Sequence, residues 1–357
     1  PRWPVGGASL TGTTALMAFL LAAAVALAAT PLVRRLAILT GFLAMPSPRG
    51  VHQRPVPQLG GLAIFLAFAA ALAWRYGLAD PTTRSVLLGG AAIVALGVVD
   101  DKIRLRPAAK LAGQVAVAAL TVAMGVRVEW VSNPFGPGVV ALGAWSYPLT
   151  MAWIVALVNV MNLIDGLDGL AAGIASIAST TLLLTAMHTG LPELSIVLSA
   201  ALAGAALGFL PYNFNPARIF MGDAGAMFLG FGLAVVSVEG LLKTTTVVAL
   251  GIPVLALGLP IADTFLAIVR RVAAGRPIGE ADRQHLHHRL LDMGLSHRDA
   301  VIVLYLISGW LGISAWALTA VETVGAILIF TLVAASTYFF ARRFGLFPQQ
   351  QERNVKS

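Results

Sequence analysis

Residues 11–35 read TGTTALMAFLLAAAVALAATPLVRR, in which an uncharged apolar stretch, 11–33, is followed directly by Arg34 and Arg35. A helix needs about 20 predominantly apolar residues to cross the hydrocarbon core of a bilayer, and this stretch supplies them. Because the basic pair follows the stretch instead of preceding it, we interpret the stretch as a retained span and not as a secretory signal. Basic residues favour the cytoplasmic side, so the N-terminus is predicted to lie outside.

The rest of the chain has the same character. Of its 357 residues, 58% are hydrophobic and 11% are charged, with a mean hydropathy of +0.85. Soluble domains carry about 25% charged residues, so the composition indicates a membrane protein and excludes a disordered or collagen-like chain. The absence of Cys excludes a disulfide scaffold, a thiol nucleophile and a thiolate metal site. We attribute the net charge of +8 to basic residues in cytoplasmic loops that contact anionic lipid, and not to nucleic-acid binding.

Apolar runs between polar breaks predict an all-α polytopic membrane protein with about eleven transmembrane helices. The expected spans are 11–33, 59–76, 85–99, 107–125, 148–162, 170–188, 193–211, 223–241, 246–269, 299–319 and 324–341. Alternating the loops from an outside N-terminus places 19 of the 24 Lys and Arg residues inside. We therefore predict a cytoplasmic C-terminus, a single catalytic domain over 1–341 and a basic cytoplasmic tail over 342–357. The segment from Asn133 is expected to form a short outer hairpin.

The acids cluster at the predicted cytoplasmic ends of helices. Asp100 and Asp101 directly follow an apolar run and precede Lys110. Two adjacent carboxylates at a membrane boundary need a cation or basic side chains, whereas a helix cap needs only one acid. A structural cap remains the alternative interpretation of this pair.

A second polar cluster spaces its residues every three positions: Asn159, Asn162, Asp165 and Asp168. On a helix these side chains would lie along one slowly drifting face, and Gly166 and Gly169 let the backbone turn. Such polar groups between apolar spans are costly unless they bind something polar, although Asx turns would also use them.

A third polar loop opens the eighth predicted span and contains Asn213, Arg218, Phe220 and Asp223. Asp223 alone would suit a helix N-terminus. Asn213 and Arg218 can hydrogen-bond a polar ligand, and Phe220 can stack on a flat ring.

The fourth cluster is rich in His and Arg, with His285, His287, His288 and Arg289 in the longest cytoplasmic loop. A zinc site is disfavoured because no Cys is present and guanidinium groups would repel a dication. Imidazole and guanidinium groups together suit an anionic substrate such as a pyrophosphate. Asp263, within the ninth span, fits structural pairing and a role in the site equally well.

The predicted orientation brings all four clusters to one cytoplasmic cleft. Carboxylate and amide oxygens favour Mg²⁺, with Mn²⁺ as the alternative, and the basic groups can neutralise phosphate. This combination predicts phosphoryl transfer between a lipid and a soluble phosphate compound.

The motifs also carry a family resemblance over almost the whole chain. They are Arg49-x-x-His52, Pro57-Gln-Leu-Gly60-Gly61, Asp100-Asp101, Asn159-x-x-Asn162-x-x-Asp165-Gly-x-Asp168-Gly, Phe220-Met-Gly-Asp223 and His285-x-His287-His288-Arg289. In combination they resemble the polyprenyl-phosphate N-acetylhexosamine-1-phosphate transferases (glycosyltransferase family 4), in particular the bacterial undecaprenyl-phosphate N-acetylglucosamine-1-phosphate transferases.

The resemblance implies transfer of a sugar-1-phosphate, GlcNAc-1-phosphate first of all, from a UDP-N-acetylhexosamine to undecaprenyl phosphate with release of UMP. It implies a multi-pass enzyme of the bacterial inner membrane that starts a cell-surface glycan, and it leaves a homodimer open. The implied metal ligands are Asp223 and Asn162. The implied catalytic residues are Asp100, Asp101, Lys110, Asp165, His287 and His288, and the implied substrate-binding residues are Arg54, Asn159, Asp168, Asn213, Phe220, His285 and Arg289.

Three alternatives compete with this interpretation. The branch that transfers phospho-MurNAc-pentapeptide carries three consecutive histidines and a Lys where this chain has His285-Leu-His-His-Arg289 and Arg54. The CDP-alcohol phosphotransferase motif is matched only in its first half, because its Arg is replaced by Gly173. A transporter would place its acids near the bilayer midplane in repeated halves, and no repeat is visible.

Overall fold

A computed structural model describes residues 5–45, 55–133, 138–240, 251–273, 275, 285–321 and 323–343. Within these ranges the helices are α1 (Val5–Leu39), α2 (Gly60–Tyr76), α3 (Pro81–Ile103), α4 (Pro107–Ala123), α5 (Ser146–Ile164), α6 (Leu170–Thr189), α7 (Glu193–Asn213), α8 (Gly222–Glu239), α9 (Gly251–Ala256), α10 (Gly258–Ala273), α11 (Leu286–Asp292), α12 (His297–Ala317) and α13 (Thr323–Arg343). The strands are β1 (Leu43–Ala44), β2 (Val56–Pro57), β3 (Trp130–Ser132) and β4 (Val139–Ala141).

Six helical stretches of the described chain are long and apolar enough to cross a membrane. They are Thr11–Leu39, Gly143–Ile164, Leu170–Thr189, Glu193–Asn213, Gly222–Glu239 and His297–Ala320, and the shorter apolar helices include Gly60–Tyr76, Pro107–Ala123 and Val324–Thr337. The chain is therefore a helical, polytopic membrane protein, as predicted. The figure of eleven spans and the orientation of the termini stay predictions.

Helix α8 lies at the centre of the bundle, and α2, α3, α5, α6 and α7 pack around it. Small residues allow these close approaches: a β-carbon on Gly61 of α2 or on Gly97 of α3 would collide with the α8 backbone, and one on Gly230 of α8 would collide with α5. Between apolar helices in lipid, packing of this kind replaces the hydrophobic effect as the attraction. Helices α2, α3 and α5 consequently approach α8 closely enough for backbone contact.

The ninth predicted span, 246–269, is wrong as a single helix. Its described part forms α9 and α10, which are interrupted at Leu257. Pro260 has no N–H to donate to the carbonyl of Ala256, and its ring hinders a continuous helix there. The histidine loop also contains a short helix, α11, that the spans did not include.

The predicted hairpin is confirmed, since β3 pairs antiparallel with β4, with Val131 opposite Val140, whereas its place on the outer side stays a prediction. At the opposite end of the bundle, β1 pairs with β2, and the chain then runs alongside the start of α8. Two backbone hydrogen bonds, from Gly60 N–H to the Phe220 carbonyl and from Gly61 N–H to the Met221 carbonyl, both 2.9 Å, join the starts of α2 and α8.

The domain boundary predicted between 341 and 342 lies within α13, which continues to Arg343. The remainder of the predicted tail, 344–357, lies outside the described residues. The division into a catalytic domain over 1–341 and a tail over 342–357 therefore stays a prediction.

Candidate active site

A cavity of about 290 Å³ opens where α5, α7 and α8 begin or end. Its walls include six residues that the sequence predicted for the site: Asp165, Asp168, Asn213, Phe220, Asp223 and His288. These residues come from three separate polar clusters of the sequence. The predicted convergence of those clusters is therefore present in the fold.

Asp223 is the centre of a polar network beside this cavity. Its Oδ1 accepts a hydrogen bond from Asn162 Nδ2 at 2.8 Å, and its Oδ2 lies 2.7 Å from Lys110 Nζ. Lys110 Nζ also contacts Asp100 Oδ2 and Asn162 Oδ1, each at 2.8 Å. Asp100 is buried, with a second hydrogen bond from Leu105 N–H. The ammonium group therefore holds two carboxylates that would otherwise repel each other.

Asp101 points to a different place from Asp100. Its Oδ1 accepts hydrogen bonds from Gln58 Nε2 at 2.6 Å and from Asp223 N–H at 2.9 Å, and its Oδ2 lies 3.4 Å from the Ala224 nitrogen. The second acid of the pair is thus bonded to the first turn of α8, and the carboxylate that contacts Lys110 is that of Asp100.

Asp165, directly after α5, differs from the other acids because it accepts no hydrogen bond within the described part of the chain. Burial, followed by the negative charges of Asp223, Asp101 and Asp168, raises the pKa of Asp165 to about 8. Hard divalent cations bind carboxylate and amide oxygens, so the donor set at this cavity fits Mg²⁺. The described residues nevertheless contain no group of three His, Cys, Asp or Glu side chains gathered as a ready metal site.

Asp168 and Asn213 hold the loop between α7 and α8. Asp168 Oδ2 accepts hydrogen bonds from Asn215 Nδ2 and Ala217 N–H, both at 3.0 Å. Asn213 Nδ2 donates to the Ile219 carbonyl at 3.1 Å, whereas its buried Oδ1 has no hydrogen-bond partner among the residues that the structure describes. Both side chains line the cavity and also fix the loop that carries Phe220 to it.

Asn159 lies one turn deeper in the bundle than Asn162. Its Nδ2 donates to Gln114 Oε1 at 2.7 Å and to the Val155 carbonyl at 2.8 Å. Gln114, which is 1% exposed, also directs Nε2 towards Met227 Sδ at 3.3 Å. These contacts join α4 to α5 and α8, and Asn159 does not line the cavity.

The histidine segment is attached to the bundle through Asp263. This buried acid accepts hydrogen bonds from His285 Nδ1 at 2.8 Å and from Leu286 N–H at 2.9 Å. His287 is buried against Gly166, and His288 extends to the cavity. Burial and then the neighbouring His288 lower the pKa of His287 to about 4, so its imidazole is neutral at pH 7.

The start of α12 closes the site from the same side. His297 lines the cavity and accepts a hydrogen bond at Nε2 from Asp168 N–H at 3.0 Å. Arg298 Nε donates to the Asn215 carbonyl at 3.0 Å, and the Tyr305 hydroxyl donates to the Gly169 carbonyl. Helix α12 therefore fixes two of the loops that form the cavity.

Three polar residues at or beneath the cavity were not among the predicted site residues: Gln58, Gln114 and His297. Each had a signal in the sequence. Gln58 lies inside the Pro57 to Gly61 motif, Gln114 follows Lys110 by one helical turn within an apolar run, and His297 follows the histidine cluster closely. Of the predicted residues, Arg289 lies in α11, whereas Arg54 falls outside the described residues.

The comparisons with known proteins agree on one family. The model of glycosyl transferase family 4 matches residues 83–241. A probable undecaprenyl-phosphate N-acetylglucosaminyl 1-phosphate transferase of Bacillus subtilis is 41% identical over 89% of this chain and 88% of its own length. A decaprenyl-phosphate N-acetylglucosaminephosphotransferase of Mycobacterium tuberculosis is 38% identical over 83% of this chain and 80% of its own length. An undecaprenyl-phosphate alpha-N-acetylglucosaminyl 1-phosphate transferase of Salmonella typhi is 27% identical over 77% and 76%. With this identity over most of both chains, and with the family's polar motifs gathered around one cavity, the protein belongs to glycosyl transferase family 4.

Proposed function

We propose that this protein transfers GlcNAc-1-phosphate from UDP-GlcNAc to undecaprenyl phosphate and releases UMP. The observation that carries the proposal is the cavity at one end of the bundle, which Asp165 and Asp223 line and where Asp223 forms an ion pair with the ammonium group of Lys110. Relatives that cover more than four fifths of the chain are named as N-acetylglucosamine-1-phosphate transferases acting on polyprenyl phosphates, which supports the same donor and acceptor here.

In the proposed reaction, an oxygen of the lipid phosphate forms a bond to the phosphorus attached to the sugar. The bond from that phosphorus to the oxygen of UMP breaks, and UMP leaves with the electron pair. Lys110 places a positive charge next to the diphosphate, and the loop of Asn213 and Phe220 would hold the nucleotide. Asp100, bonded to Lys110, would deprotonate or position the lipid phosphate. Prepositioned charge of this kind is the main way in which proteins accelerate phosphoryl transfer.

We further propose that Mg²⁺ is required, held by Asp223 and Asn162. The support is the oxygen donor set and the excess of carboxylates over ammonium groups among the described residues that face or adjoin the cavity. When bound, the metal would neutralise part of the diphosphate charge. Asp165, whose carboxylate faces the same cavity, would remain ionised more readily beside a cation.

The proposed arrangement in the cell follows from the charges. We propose eleven spans in the bacterial inner membrane, an outside N-terminus, a cytoplasmic C-terminus and a cytoplasmic site. Support comes from the 19 of 24 basic residues that this topology places inside, because Lys and Arg in short loops favour the cytoplasm. A UDP-sugar is a cytosolic compound, so a donor site on this face agrees with the same topology. The molecular mass of the purified protein in detergent would test for a homodimer.

The test is release of UMP by detergent-purified protein given undecaprenyl phosphate and a panel of UDP-sugars. We expect UMP with UDP-GlcNAc and Mg²⁺, loss of release with EDTA, and recovery on adding Mg²⁺ or Mn²⁺. Release with UDP-MurNAc-pentapeptide alone would assign the chain to the muropeptide branch. Folded protein that releases no UMP with any UDP-N-acetylhexosamine would overturn the proposal.

A further inference from the structure

The contacts of Asp101 give the second acid of the Asp-Asp pair a role of its own. Its carboxylate meets three donors: Gln58 Nε2 at 2.6 Å, Asp223 N–H at 2.9 Å and, more weakly, Ala224 N–H at 3.4 Å. Two of these donors are backbone groups in the first turn of α8. Asp101 itself does not line the cavity, whereas Gln58 does.

Helix α8 requires such a partner because its own sequence provides none. The residue at its N-cap is Met221, whose side chain accepts no hydrogen bond from the first turn. The first N–H groups of a helix have no partner within the helix and need an acceptor, which Asp supplies well. Here the acceptor comes from the end of α3, 122 residues earlier in the chain.

We propose that Gln58 and Asp101 form a positioning pair that holds the first turn of α8, and with it Asp223, at the cavity. Asp223 is the second residue of α8. Its N–H donates a hydrogen bond to Asp101, and its carboxylate contacts Lys110 and Asn162. Gln58 fixes the rotation of the Asp101 carboxylate, and its backbone runs beside Phe220. The expected effect on activity rests on the proposed transfer reaction, whereas the contacts themselves do not depend on it.

The first measurement is amide hydrogen exchange in the metal-free protein, which does not depend on activity. Replacing a capping Asp by Ala weakens a helix start, whereas Asn caps about as well as Asp. We expect Asp101→Ala to speed exchange at residues 223 and 224 by about tenfold, and Asp101→Asn to change it by less than about threefold. Gln58→Ala should speed exchange at the same two amides, and the double variant should show less than the sum of both effects.

The second measurement compares the two neighbouring acids by UMP release. A positioning carboxylate acts as a hydrogen-bond acceptor and not as the catalytic group that the resemblance implied for Asp101. Asp101→Asn should therefore lower the rate by at most about tenfold, whereas Asp101→Ala should lower it by about a hundredfold through misplacement of Asp223. Asp100→Asn is the matched control, because Asp100 neutralises Lys110 with its charge. It should lose at least about a hundredfold.

Equal and large losses of rate in Asp101→Asn and Asp100→Asn would overturn the inference, because Asp101 would then act through its charge. Unchanged exchange at residues 223 and 224 in a folded Asp101→Ala protein would overturn it as well. If wild-type protein released no UMP, the proposed function would fail, and the exchange measurement would still decide whether Asp101 holds α8.

Discussion

At the scale of single residues, environment separates side chains that are chemically identical. Asp100 and Asp101 are adjacent, yet one contacts an ammonium group and the other contacts the backbone of α8. Asp165, by contrast, faces the cavity with no hydrogen-bond donor within the described chain, and burial raises its pKa. Three acids therefore bring three different properties to the same site, and substitutions at each of them should have different consequences.

Asp223→Asn should lower UMP release by about a hundred- to a thousandfold, because the carboxylate that contacts Lys110 and Asn162 loses its charge. The protein should still fold, since Asn retains the size and one acceptor oxygen and Lys110 keeps its ion pair with Asp100. Glu193→Gln is the control: it removes an ion pair with Arg75 at the opposite end of the bundle and should leave the rate unchanged. Wild-type activity in Asp223→Asn would remove this residue from the proposed metal site.

His287 should make the protein less stable in mild acid. Its pKa is about 4 in the folded protein and 6.5 as the ordinary value, so between these values the unfolded chain binds more protons. The free energy of unfolding should therefore fall as the pH is lowered from 6.5 towards 4, by at most about 1.4 kcal/mol per pH unit from this group. The measurement is thermal unfolding of wild-type protein and of His287→Gln over this pH range.

The expected result is a flatter dependence of the unfolding midpoint on pH in His287→Gln. Substituting His188, which is exposed at the other end of the bundle, provides the comparison for loss of any histidine. Equal slopes in wild type and His287→Gln would show that the buried imidazole does not control stability in acid.

At the scale of elements, α8 and α11 obtain their capping groups from other helices. Met221 precedes α8 and His285 precedes α11, and neither caps its helix. In both cases an Asp from another helix accepts the first N–H groups: Asp101 from α3 and Asp263 from α10. Helix α11 spans only Leu286–Asp292, and so short a helix is unstable in isolation. Its position consequently depends on the helix against which it is anchored.

Asp263→Ala should loosen α11. Amide exchange over 286–292 should become faster, and the KM for UDP-GlcNAc should rise by about tenfold, because the His and Arg side chains of this segment lose their fixed position. Asp263→Asn keeps an acceptor for Leu286 N–H and should lie between Ala and wild type. Asp292→Asn, exposed in the last turn of α11, serves as the control. An unchanged exchange rate in Asp263→Ala would contradict the anchoring role.

At the scale of the whole molecule, the path of the chain determines which loops meet. The ends of α1, α3, α5 and α7 and the starts of α2, α4, α6 and α8 lie at the same end of the bundle as the cavity. The opposite end carries the hairpin of β3 and β4 and the ion pair of Arg75 with Glu193. Polar motifs far apart in sequence therefore converge simply because successive spans reverse direction.

The natural absence of Cys makes the proposed topology directly testable. We expect Glu129→Cys, beside the hairpin that the proposed topology places outside, to react with a membrane-impermeant maleimide in intact spheroplasts. Asp292→Cys, in α11, should react only after the membrane is opened. Both positions are exposed, so access and not burial would decide the outcome. Labelling of Asp292→Cys in intact cells would contradict a cytoplasmic site.

The membrane class, the positions of most helices and the polar motifs of the site were all predictable from the amino-acid sequence. They were predictable because apolar runs, charge asymmetry and residue spacing are local properties of the chain. Three contacts became visible only in the folded chain: Asp101 caps α8, Asn159 bonds to Gln114 beneath the cavity, and Asp263 anchors the histidine segment. Each of these contacts joins residues more than 20 positions apart, so it depends on which helices pack together and not on the local sequence.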